Sequence, residues 1–223
     1  MKIKKLTRSF TVICILYLLL IISGKETTAW WLKPLLIPFL IRIVSISDKF
    51  KTQKFLLYAL FFSWIGDVLL MFSDRHSLFF ISGLVTFLVA HLIYIFLFYK
   101  QENINNNKIY WWFIPVILIY LSGVLSFLWS SLNEMKIPVI IYAFVISAML
   151  LMSIKAYFEW KKPANLWVLT GAVLFVVSDT VLAINKFYTP VPMGSLVIMS
   201  TYLGAQFFIV KSVLNLNVDF SNT

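Results

Sequence analysis

Two aspartates sit inside stretches that are otherwise almost wholly apolar: Asp67 in "FFSWIGDVLLMF", residues 61–72, and Asp179 in "LFVVSDTVLAINKF", residues 174–187. A charged group at membrane depth costs about 2.5 kcal/mol or more unless it is paired, neutralised or wetted, so two such acids call for a reason. Polar neighbours recur at helical spacing nearby. Ser63 stands one turn before Asp67, and Tyr94 stands three residues after His91 on the same face. Ser63, Trp64 and Ser178 read as packing or local hydrogen-bonding groups. Burial favours the neutral form of a carboxyl group, so one acid of a close pair can hold a proton while the other accepts one. Carboxylates, an imidazole and a phenol suit acid/base catalysis with water. The sequence has no GxSxG elbow, no HExxH helix and no Walker loop to support a nucleophilic, zinc or nucleotide mechanism. A divalent ion on Asp67, Asp179 and His91 is chemically conceivable. The chain has only two His, however, and His76 falls in a loop, so neither a metal nor a cofactor is expected.

The elements that must hold these groups follow from composition. Of 223 residues, 61% are hydrophobic and 13% charged, which places the chain among polytopic membrane proteins. Crossing a bilayer takes about 20 apolar residues per helix. The sequence supplies eight such segments, near 9–23, 30–47, 55–73, 78–99, 109–130, 137–158, 164–186 and 193–213. The runs do not alternate in polarity as barrel strands do, so the expected fold is all-α, a bundle of eight transmembrane helices in a single membrane domain. The first segment, with Lys2, Lys4, Lys5 and Arg8 ahead of "FTVICILYLLLII", also fits a signal peptide, but is read here as a span. Cys14, the single cysteine, lies inside it and reads as a small buried residue. Tryptophan pairs at 30–31 and 111–112 fit interfacial belts.

Basic residues set the orientation. Thirteen Lys and Arg flank one set of helix ends, Lys108 among them, and five flank the other, which predicts a cell-membrane protein with both termini cytoplasmic. The net charge of +10 is then a matter of topology and anionic lipid, and no nucleic-acid partner is expected.

The halves resemble each other. "WWLKPLLIPFLI" opens the second segment and "NEMKIPVIIYAF" the sixth, "FLVAHLIYI" faces "YLGAQFFIV", and Asp67 falls over Asp179. This predicts a repeat, 1–100 and 109–213, of two four-helix halves in parallel orientation. At about 1.5 Å per residue, Asp67 lies roughly 20 Å from Lys54 and Asp179 roughly 26 Å from Lys162, so both acids belong to the half away from the termini. His91, counted from Lys100, and Tyr202, counted from Lys211, each lie roughly 14 Å from the cytoplasmic end. Gly66, Gly83, Gly171 and Gly204 read as points of close helix approach, and Pro34 and Pro38 as distortions that free backbone carbonyls near Lys33.

Taken in order, "KPLLIPF", "FFSWIGDVLLMF", "GLVTFLVAHLIYI", "GAVLFVVSDTVLA" and "YLGAQFFIV" resemble the YhhN family of membrane lysoplasmalogenases over roughly residues 30–211. The resemblance implies an enzyme that hydrolyses the vinyl-ether bond of a lysoplasmalogen, a lysophospholipid drawn from membrane lipid. The products implied are a fatty aldehyde and a glycerophospho-headgroup. On this reading Asp67, Asp179 and His91 are catalytic, Lys33, Tyr94, Tyr202 and Gln206 contact substrate, and Arg75 joins Lys33 near the phosphate. Gln206 stands where a second His would favour a metal scheme. The competing expectation is a transporter or lipid-binding protein with an acidic site in the membrane.

Overall fold

The computed structural model describes residues 2–101 and 109–217; Lys108, counted above for orientation, lies outside them. Among the described residues, eight helices are long and apolar enough to cross a membrane. They are α1 (Lys2–Ile22), α2 (Glu26–Ile46), α3 (Gln53–Leu70), α4 (Ser77–Lys100), α5 (Ile114–Leu128), α6 (Lys136–Glu159), α7 (Ala164–Phe187) and α8 (Gly194–Asn217). The expected all-α class, with eight candidate membrane spans among the described residues, is therefore observed. Several boundaries differ from those read off the sequence, most of all at the starts of the first and fifth spans. α1 begins at Lys2 because long basic side chains can continue a helix while carrying their charge to the interface. The fifth span opens with a 3-10 turn, Ile109–Phe113, and becomes α-helical where Pro115, fixed near the helical φ, occupies its first turn.

The outer surface is apolar. Trp112, Ile119, Ile137 and Trp31 are each more than 70% exposed, an arrangement water would penalise and lipid does not.

The chain divides into two compact units, Met1–Leu97 with Val213–Thr223, and Phe98–Ser212. In the first, α2 packs against both α1 and α3, with Leu36, Ile37, Leu40 and Leu60 fully buried. α4 meets α3 at Gly66, where an added Cβ would stand 2.6 Å from the Phe87 ring. In the second unit, α6 packs along α7 and α5 against both. Leu128, Leu132 and Val139 form a buried cluster against Ala183, Ile184 and Phe187, closing the end that carries the α5–α6 turn. α7 meets α8 at Gly171, where a Cβ would come within 2.8 Å of Ile209 and 3.0 Å of the Ala205 carbonyl. The Ser178 hydroxyl donates to the Ile198 carbonyl at 3.0 Å and that of Ser212 to Ala164 at 2.6 Å, joining the same two helices.

Candidate active site

In the first unit Asp67 occupies the last turn of α3, which ends at Leu70, and it is buried. A carboxylate at a helix C-terminus faces the negative end of the macrodipole, so a neighbouring cation matters there. Lys33 on α2 and Tyr17 on α1 both lie within electrostatic reach of it. The register that brings α2 to this point has a local cause. Pro38 has no N–H to give the carbonyl of Pro34, one turn back in the helix. Trp64 supplies the missing donor: its indole Nε1 donates to the Pro34 oxygen at 2.8 Å. This bond joins α2 and α3 one residue from Lys33 and one turn from Asp67.

His91 is fully buried on α4. Its Nδ1 donates to the Phe87 carbonyl at 2.7 Å. A carbonyl only accepts, so the Nδ1 proton is committed within the helix and the ring can act elsewhere only through Nε2. Phe87 is also the residue that crowds Gly66, so the backbone holding His91 and the backbone beside Asp67 share one close helix contact. Tyr94, on the same face as His91, is fully buried.

In the second unit the hydroxyl of Tyr142 on α6 donates to Asp179 Oδ2 on α7. A second hydroxyl pair lies beside it, between Tyr120 on α5 and Thr180 on α7. The single proton of Thr180 goes to the Val176 carbonyl at 2.6 Å, which makes Tyr120 the donor of that pair. Tyr120, Tyr142, Ser147, Asp179 and Thr180 line a pocket of about 60 Å³ whose other walls are aliphatic. A buried water needs roughly 10–15 Å³ measured this way, so the pocket has room for a few beside the acid. On the other side of α7, the Tyr202 ring stands edge-on to Phe175 at 5.5 Å. The Tyr202 oxygen accepts from Gln206 Nε2 at 3.4 Å.

Of the residues singled out from sequence, Lys33 is brought to Asp67 and Tyr202 to Gln206. Lys33, Asp67, His91 and Tyr94 belong to the first unit, and Asp179, Tyr202 and Gln206 to the second. Asp179 accepts from Tyr142 and shares its pocket with the Tyr120–Thr180 pair, and the sequence singled out none of these three. Trp64 bridges α2 and α3 and Ser178 bridges α7 and α8 through hydrogen bonds, while Ser63 is buried with its hydroxyl making no hydrogen bond among the described residues. Arg75 is exposed, its guanidinium 5.1 Å from the centre of the Phe72 ring. Among the described residues no three His, Cys, Asp or Glu side chains gather closely enough to hold a metal ion.

Comparison with known proteins gives a consistent picture. The profile described as the YhhN family matches residues 28–213. A Bos taurus protein named lysoplasmalogenase TMEM86A is 30% identical over 169 residues, 70% of this chain and 63% of the relative. Mus musculus lysoplasmalogenase TMEM86B is 30% identical over 219 residues, 96% of this chain and 88% of the relative. An Escherichia coli O157:H7 protein named uncharacterized membrane protein YhhN is 22% identical over 192 residues, 85% of this chain and 89% of the relative. This chain thus spans less than two thirds of the TMEM86A relative and most of the other two. No solved structure matches.

Proposed function

From the premise that the chain belongs to the YhhN family, we propose that it is a membrane hydrolase cleaving the vinyl-ether bond of lysoplasmalogens. The products are a fatty aldehyde and a glycerophospho-headgroup. The observation that carries the chemistry is the Asp179 carboxylate, held by the Tyr142 hydroxyl in a pocket large enough for water.

Hydrolysis of an enol ether begins when an acid protonates the alkene carbon β to oxygen, leaving an oxocarbenium ion. Water adds to the cationic carbon and gives up a proton to a base. The resulting hemiacetal collapses, its C–O bond to glycerol breaking as the aldehyde C=O forms and the glycerol oxygen takes a proton. The sequence needs one acid, one base and negative charge near the cation, a division of labour analogous to two-carboxylate glycoside hydrolysis. We assign Asp67 and Asp179 to the acid and base roles, in either order. His91 orients water or the ether oxygen through Nε2, and Tyr94, Tyr202 and Gln206 shape the substrate site. Lys33 serves first as the counter-charge of Asp67, and Arg75 meets the phosphate at the interface. Orientation follows the basic residues, with both termini cytoplasmic in the cell membrane.

The test is aldehyde release from lysoplasmenylethanolamine by purified protein in detergent. Asp67→Asn and Asp179→Asn each insert and fold but lose about 10²–10⁴-fold in turnover, the range for removing a general acid or base. Full activity in both variants would overturn the assignment.

A further inference from the structure

A second hollow adjoins the acid pocket in the unit Phe98–Ser212. It is a groove of about 280 Å³, lined by Leu150 of α6 and the Val173, Val177 and Val181 row of α7. The groove and the pocket share Tyr120, Val176 and Thr180. The two overlap along α7, where the groove residues Val177 and Val181 bracket Asp179, but they extend in different directions. The pocket reaches toward the α5–α6 turn, with Val139 and Tyr142 in its wall. Leu150 lies eight residues past Tyr142, roughly 12 Å deeper along α6. A molecule entering from that turn meets the carboxylate beside the near end of the groove, with Val173 and Leu150 beyond it.

The junction suits that order. Thr180 spends its proton on Val176 and Tyr120 spends its proton on Thr180, so both hydroxyls at the boundary have their donors satisfied. Beyond them the groove presents only Val and Leu side chains, with Val173 and Val177 44% and 40% exposed. A single-chain amphiphile has the same layout: headgroup, reactive bond, then hydrocarbon.

We propose that the Leu150–Val173–Val177–Val181 groove binds the hydrocarbon chain of a single-chain lysophospholipid whose ether bond lies at Asp179. The site rests on the hydrolase reading for the identity of the reacting bond, but occupancy of the groove is measurable without turnover. The probe is an alkyl-ether lysophospholipid, which lacks the vinyl group, carrying a diazirine in its chain. It is photolysed with the full-length protein in detergent. Adducts map to Leu150 or to residues 173–181 and are competed by unlabelled alkyl-ether lysophospholipid. Val177→Trp fills the groove and reduces labelling, and it lowers kcat/KM for long-chain substrates about tenfold more than for short-chain ones, in the range that added methylenes produce in hydrophobic pockets. Val177→Ala shifts the same ratio the other way. An unchanged melting temperature separates these effects from misfolding.

Labelling spread along the helices, or labelling that unlabelled lysophospholipid does not compete, marks ordinary bilayer lipid and overturns the proposal. So does a chain-length profile that neither Val177 variant moves. Competed labelling at the groove without aldehyde release from any vinyl ether keeps the binding site and removes the hydrolase reading.

Discussion

Lys33 and Arg75 are both cations near helix ends, and their surroundings give them different work. Arg75 is exposed and rests on the Phe72 ring, free to meet a phosphate. Lys33 lies within reach of the Asp67 carboxylate at the unfavourable end of the α3 macrodipole. Lys33→Met should therefore lower kcat while moving KM little, whereas a headgroup-binding lysine would show the reverse; steady-state kinetics on both parameters separate the two. Tyr142 invites a similar experiment. A hydrogen bond to a charged group is worth about 1.5–3 kcal/mol. Tyr142→Phe, which keeps the ring, should cost roughly tenfold or more in kcat with little change in melting temperature. The two aspartates were legible in the sequence because ionisable groups in apolar runs are costly. Tyr142 was not, because a tyrosine in a membrane helix has the look of a packing residue. Its contact with Asp179 spans 37 positions and depends on how α6 and α7 are rotated against each other.

At the scale of the helix, glycines and prolines decide spacing and register. Adding a methyl group at Gly66 meets the Phe87 ring and the Thr86 hydroxyl under 3.0 Å away. At Gly204 the nearest atom is the end of the Leu174 side chain at 3.2 Å, and at Gly123 nothing lies within 4 Å. The series Gly66→Ala, Gly204→Ala and Gly123→Ala should accordingly run from a loss of about 1–3 kcal/mol, through a small effect, to none or a slight gain, read as melting temperature in detergent. Loss of melting temperature in Gly123→Ala with none in Gly66→Ala would contradict the packing. The helices themselves were readable, since a membrane demands runs of about 20 apolar residues. Helix ends were less so, because Lys2 to Arg8 continue α1 past its apolar stretch. The prolines of α2 pointed to freed carbonyls near Lys33, but that Trp64 from α3 would answer Pro34 depends on tertiary register.

For the molecule as a whole, the bias of basic residues bears on which face the substrate enters. An even number of spans returns the chain to its starting side. α3 and α7 both begin at ends rich in Lys and carry their aspartates toward the other ends, which carry fewer basic residues. On the proposed orientation, with Lys and Arg retained on the cytoplasmic side, both acids would fall in the half of the membrane away from the cytoplasm. The protein's one native cysteine, Cys14, is buried, so single cysteines introduced at exposed turns report sidedness cleanly. His76, between α3 and α4, and Lys161, between α6 and α7, are both exposed. In intact cells, His76→Cys should react with a membrane-impermeant maleimide and Lys161→Cys should react only after permeabilisation. The reverse pattern would place both termini outside and both acids toward the cytoplasm. A lysophospholipid would then have to reach the acids from the inner leaflet, and the groove beside Asp179 would fill from that side.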